Sequence, residues 1–101
     1  MLKHIVLNCI NNLKGQHIAC LNVHNKCHIT DLMILCTGQS NRHVISIAQE
    51  ILYKLRNTNF KLYGIEGLND GKWVVIDLGD IIVHVMQIEI RELYALEKLW
   101  S

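Results

Sequence analysis

Residues 73–86 read Trp73-Val74-Val75-Ile76-Asp77-Leu78-Gly79-Asp80-Ile81-Ile82-Val83-His84-Val85-Met86. Two apolar, β-branched runs flank Gly79-Asp80, the spacing of a hairpin with a two-residue turn. Pairing across that turn sets Leu78 against Ile81, Asp77 against Ile82, Val75 against His84 and Trp73 against Met86. Side chains alternate along a strand, so they sort onto two faces. Val74, Ile76, Leu78, Ile81, Val83 and Val85 make a core face. Trp73, Val75, Asp77, Ile82, His84 and Met86 make the other. A Trp, a Met, a carboxylate and an imidazole on one small patch match the centre of a protein interface. If helices cover only the first face, the patch faces solvent or a partner. A purely structural reading fits the same residues: Trp73 half-buried at a strand end with its indole nitrogen on a carbonyl, and His84 a satisfied core histidine. Spacing does not choose between them.

Outward from the hairpin, the chain divides into short elements with short connections and no proline. Leu2, Ile5, Val6, Cys9, Ile10 and Leu13 fall at helical spacing, which predicts a helix over 2–14 stopped by Gly15. Ile18 to Val23 alternates as a strand, and His24 to His28 is polar and turn-like. Ile29 to Thr37 is a second strand whose Leu32-Met33-Ile34-Leu35 run is suited to burial on both faces. Gly38-Gln39-Ser40-Asn41 breaks it, and Ser40 is a good N-cap for a helix running to about Leu55. Leu62 to Glu66 reads as a short strand, and 67–72 as a loop. Glu89 to Leu99 reads as a last helix with Glu in its first turn and Lys98 in its last, which suits the helix dipole. On that helix Arg91, Tyr94 and Lys98 share a face, with Arg91 placed to pair with Asp77 or Asp80. Trp100 is either an exposed aromatic or a cap on the core. The order α-β-β-α-β-β-β-α predicts an α/β fold, a mixed sheet with helices mainly on one face.

The 101 residues suffice for one domain, spanning 1–101, and not for two. Half are hydrophobic, ample for a core. So small a domain buries a modest fraction of its surface, leaving apolar area for a partner or a second copy to cover. Ten Lys and Arg against nine Asp and Glu give a formal charge of +1. That balance argues against broad or sequence-specific nucleic-acid binding and against a polybasic membrane anchor. Cys9, Cys20 and Cys36 sit in apolar runs, where a thiol acts as a small hydrophobe. The run Ile5-Val6-Leu7 ends at Asn8, too early for a secretion signal, and no apolar stretch approaches membrane-spanning length. The expectation is a reduced, cytoplasmic setting.

Gly38-Gln39-Ser40 at a strand-to-helix turn resembles the start of a nucleotidyltransferase site. That chemistry needs carboxylates one residue apart on a following strand to hold two metal ions. No such pair follows Ser40, and Asp77 and Asp80 are three apart and straddle a turn. His17, Cys20, His24, Cys27 and His28 lack the tight, repeated spacing of a structural zinc site. Nothing fixes which Cys would meet which His in a hydrolase, and no Gly-rich phosphate loop is present. The residues therefore point to no catalytic group, metal or cofactor. Thr30 and Asp31 suit fixing of local backbone, or presenting a carboxylate at the sheet edge.

Several segments together resemble one family. They are Ile29 to Ser40 (Ile-Thr-Asp-Leu-Met-Ile-Leu-Cys-Thr-Gly-Gln-Ser), Arg42-His43-Val44, Gly64-Ile65-Glu66-Gly67, Trp73 to Met86, and Arg91 to Trp100 (Arg-Glu-Leu-Tyr-Ala-Leu-Glu-Lys-Leu-Trp). This pattern resembles the ribosomal silencing factors, also called RsfS or Iojap-like, almost end to end. The resemblance implies a fold related to nucleotidyltransferases without their activity. It implies a cytoplasmic translational repressor that docks on large-subunit ribosomal protein fourteen at the subunit-joining face. It further implies blocked joining of the small subunit, translation silenced when nutrients run low, and a homodimer in isolation. Carried over by position, the partner-binding residues are Trp73, Asp77, Asp80, His84 and Met86 on the hairpin, with Arg91, Tyr94 and Glu97 on the last helix. Asp31 and Arg42 also match the pattern. Leu32 departs from it, standing where an aromatic is common. The alternative is a degenerate nucleotidyltransferase-like protein that still binds a nucleotide.

Overall fold

The elements run α1 (Leu2–Asn12), β1 (Gln16–Asn22), β2 (Leu32–Gly38), α2 (Asn41–Leu55), β3 (Gly64–Glu66), β4 (Trp73–Asp77), β5 (Ile81–Gln87), α3 (Ile88–Tyr94) and α4 (Leu96–Trp100). The computed structural model describes residues 1–25 and 30–100. Lys26, Cys27, His28 and Ile29, and with them the expected start of the second strand, lie outside the described residues, as do Ser101 and the side chain of Trp100.

Among the described residues five strands form one mixed sheet in the order β1-β2-β5-β4-β3. Only β2 and β5 are parallel, and the other three pairs are antiparallel. The hairpin register is the expected one, with Trp73 opposite Met86, Val75 opposite His84 and Asp77 opposite Ile82. Gly79 turns the chain at φ 86°, a left-handed value that a side chain resists. The turn is tied to the neighbouring strand as well, since the Asp80 carbonyl accepts the N–H groups of Asp31 and Leu32, each at 3.1 Å.

One face of the sheet carries the main core. Val74, Ile76, Val83 and Val85 from the hairpin and Ile34 and Cys36 from β2 are fully buried against Val6 and Ile10 of α1 and Val44, Ile47 and Ile51 of α2. These are the two stripes that periodicity marks out. Ser40 Oγ accepts the His43 N–H at 3.1 Å and so starts α2 as an N-cap. His43 then joins the two helices. Its Nδ1 accepts the Gln39 N–H at 2.9 Å, which leaves Nε2 to donate to the Leu13 carbonyl at 2.6 Å. The end of α1 therefore meets the start of α2, and the two helices run antiparallel. Gly38 lets α2 approach β2 closely, because an added Cβ would sit 2.7 Å from Val44.

The last helix departs from the sequence expectation. It is two helices, broken where Ala95 adopts φ 47°, ψ 50°. The break lets α4 turn back over the opposite face, where Leu96 packs on Val23, Met33 and Leu35. The two long helices cover one face, and the short C-terminal pair covers part of the other.

Candidate functional site

The second face of the hairpin is not uniformly open. His84 lies at its centre between Val75 of β4 and Leu35 of β2, and it is 7% exposed. Met86 is fully buried. The interface reading put both at the surface, and they lie beneath it instead, because α3 follows directly on β5 and folds back over it; for His84 this is the core position of the structural reading.

What reaches the surface is an aromatic stack resting on His84. The Trp73 indole N–H donates to His84 Nδ1 at 3.0 Å. With Nδ1 accepting, the neutral imidazole carries its proton on Nε2, a buried atom with no hydrogen-bond partner among the described residues. Burial lowers the His84 pKa from 6.5 to about 4, so the ring is uncharged near neutral pH. The Trp73 ring stands 5.9 Å from the His84 ring and 4.7 Å from that of Tyr94, at tilts of 44° and 50°. Tyr94 is 53% exposed. Imidazole, indole and phenol thus step outward from the sheet, each fixed by the one below. The Trp73 nitrogen was expected on a carbonyl; an imidazole takes that place. The C-terminal helices also expose Ile88, Leu93 and Leu99.

Arg91 secures this arrangement from the side. Its guanidinium is buried, and it pairs with neither Asp77 nor Asp80. It instead reaches Glu97 Oε2 through Nε at 3.0 Å and through Nη2 at 2.8 Å. Its Nη1 donates to Thr37 Oγ1 at 2.9 Å and to the His17 carbonyl. His17 has φ 51° and lies where the β1–β2 register shifts, so its carbonyl turns out of the ladder. One side chain therefore joins α3, α4, β1 and β2. The hydrogen bond from Arg91 holds the Glu97 carboxyl below its usual pKa. The expected Arg91–Tyr94–Lys98 face does not form, since the helix changes direction at Ala95. Sequence reading missed Thr37, the His17 bulge and the break. No Gly or Asn marks position 95, and the bulge follows from a carbonyl that only the folded chain brings to Arg91.

The two hairpin carboxylates divide between structure and surface. Asp77 Oδ1 accepts the Gly79 N–H at 2.9 Å and stabilises the turn, while Asp80 is exposed. Asp31 pairs with His24 Nδ1 at 2.8 Å on the surface. Cys20 is exposed on the edge strand β1, and Cys27 and His28 lie outside the described residues. Among the described residues no three His, Cys, Asp or Glu side chains gather as a metal-holding group, and no helix is long and apolar enough to cross a membrane.

The class that the structure defines is a single-domain α/β fold with an aromatic stack on one side of its sheet. Residues 2–101 match the family model described as "Ribosomal silencing factor during starvation". The chain is 42% identical over 100 residues to the ribosomal silencing factor RsfS of Haemophilus influenzae, covering 99% of this chain and 98% of that one. A crystal structure of a Chromobacterium violaceum protein superposes with a TM-score of 0.95 at 33% identity, covering 98% of this chain and 82% of that one. A more distant mouse relative, 28% identical, is named for mitochondrial assembly of the ribosomal large subunit, and the match spans 44% of it. The chain belongs to the ribosomal silencing factor family, whose name is that of a regulator acting on ribosomes.

Proposed function

We propose that the protein is a non-enzymatic translational repressor that binds the large ribosomal subunit in the cytoplasm and blocks joining of the small one when nutrients are limiting. The partner is ribosomal protein fourteen of the large subunit, and the contact is the Trp73–Tyr94 stack. Family membership supports the ribosome as target, and the name of the mouse relative favours its large subunit. The observation that carries the choice of surface is the stack itself. Two large rings, Trp73 held by the His84 bond and half-exposed Tyr94 packed on it, lose little conformational freedom on docking. The outer edge of Glu97 provides an acidic contact for a basic partner, while Asp77 fixes the hairpin turn and Asp80 lies beside it. His84, Met86 and Arg91 act from beneath, fixing the rings and the helix that carries Tyr94. Free protein uses the same apolar surface to form a homodimer.

Co-sedimentation with purified large subunits tests this, alongside light scattering of subunit joining. The wild-type chain pellets with large subunits and slows joining. Trp73→Ala folds but stays in the supernatant. Absence of wild-type protein from the pellet at moderate salt would refute the function, and full binding by Trp73→Ala would remove the stack from the interface.

A further inference from the structure

The formal charge of +1 hides a division along the chain. Residues 1–63 carry seven Lys and Arg against two carboxylates, Asp31 and Glu50, whereas residues 64–101 carry three against seven. The fold gathers four of those seven cations, Lys3, Lys54, Arg56 and Lys61, toward one end of the helix layer, while Lys14 and Arg42 lie at the other. Because α1 and α2 are antiparallel, the first turn of α1 lies beside the last turn of α2, and exposed Lys3 comes to the same end as exposed Lys54 and Arg56. The loop that leaves α2 is pinned there. Thr58 Oγ1 donates to the Leu55 carbonyl at 2.8 Å and accepts the Phe60 N–H at 3.2 Å. The next residues are therefore presented in a fixed way. Lys61 Nζ stands 5.2 Å from the centre of the Tyr63 ring, and that ring packs on Gly79, where an added Cβ would meet it at 2.9 Å. Lys3, Phe60, Lys61 and Tyr63 line one depression beside the hairpin turn, with Asp80 as its carboxylate.

We propose that this cationic end binds the phosphate backbone of ribosomal RNA, as a second contact made while the Trp73–Tyr94 stack holds its protein partner. The inference rests on the ribosome-docking reading above. Clustered ammonium groups suit a phosphate chain, since each phosphate they neutralise releases condensed counterions. The cation–π contact holds Lys61 in place before binding, which lowers the entropy lost on contact. Exposed Phe60 and Tyr63 interleave with the lysines, an arrangement that fits nucleic acid better than an acidic peptide. Trp73 and the hairpin turn lie at opposite ends of β4, about 17 Å apart along an extended strand. A partner that engages both ends must offer two separate surfaces, as an assembly of RNA and protein does.

Large-subunit co-sedimentation across a salt series tests the proposal with two double variants. Lys3→Gln with Lys61→Gln removes two charges from this end. Lys14→Gln with Arg42→Gln removes two from the opposite end of the helix layer. The first pair is expected to bind about tenfold more weakly at low salt, with a log–log salt slope shallower by about 1.5; the second keeps the wild-type slope. Wild-type pelleting with an unchanged slope in the first pair, or an equal loss in the second, overturns the RNA contact and leaves docking intact. No wild-type pelleting overturns both. A photoreactive residue in place of exposed Leu62 is expected to capture ribosomal RNA, and capture of ribosomal protein alone would assign this end to an acidic protein and overturn the proposal.

Discussion

The two faces of the sheet are stabilised in different ways. Under α1 and α2 the buried residues are apolar throughout, and Ile76, Val83, Ile34 and Ile51 need only fit together. On the other face the buried set includes Thr37 and Arg91, each tied to a particular partner, and His84, whose Nδ1 is bonded to Trp73 while its Nε2 has no partner among the described residues, with a small apolar cluster beside them. A dry apolar layer gives stability with little demand on geometry, whereas each buried polar group costs stability unless its bonds are made. The first face therefore holds the domain together, and the second spends part of that stability on fixing a surface.

The largest expected effect tests the first half of this contrast. Ile76→Ala opens a cavity in the apolar layer and should cost about 4 kcal/mol in urea denaturation, whereas Ile82→Ala, on the half-exposed side of the same hairpin, should cost about 1 kcal/mol. Equal costs would break the contrast.

Acid should act next, through His84. Its folded pKa, about 4, lies below the ordinary 6.5, so the unfolded chain takes up the proton first as pH falls. Stability from this residue is complete above about pH 6.5 and is lost progressively toward pH 4, by about 3 kcal/mol for a shift of this size. Protonation at Nδ1 would also remove the acceptor for Trp73, so indole fluorescence should change over the same range. His84→Gln should abolish that transition. Glu97, with its depressed pKa, adds a loss at lower pH, as its own carboxylate takes up a proton.

A smaller effect sharpens the account of the second face. Arg91→Ala leaves the Glu97 carboxylate, the Thr37 hydroxyl and the His17 carbonyl without their donor. Glu97 is partly exposed and water compensates it, so the cost is about 2 kcal/mol. Amide exchange should quicken over 96–100 while the hairpin amides keep their protection. Uniform acceleration across the sheet would show that Arg91 supports the whole fold rather than the C-terminal pair.

Most of the architecture was legible because it follows from local periodicity. The Trp73–Met86 register, the α2 stripe and the Ser40 cap each depend on residues close in sequence. The aromatic stack was half legible. Alternation placed Trp73 and His84 on one face, and the resemblance singled out Tyr94, yet their bond and their burial depended on where the chain goes after β5. The cationic cluster of Lys3, Lys54, Arg56 and Lys61 was hidden in the sum over all residues, since a total does not record which side chains a fold brings together.

The sequence by itself determined the strands, the main helices, the core face of the hairpin and the family. These rest on the alternation of apolar and polar residues and on short motifs, which a linear chain displays directly. Only the tertiary structure decided which residues of the hairpin's other face reach the surface. A left-handed Ala95 turns α4 back over the sheet, Arg91 locks it to β1 and β2, and Met86 and His84 are covered while Trp73 and Tyr94 stay within reach of a partner. That outcome depends on contacts between residues far apart in the chain, and no local pattern encodes them.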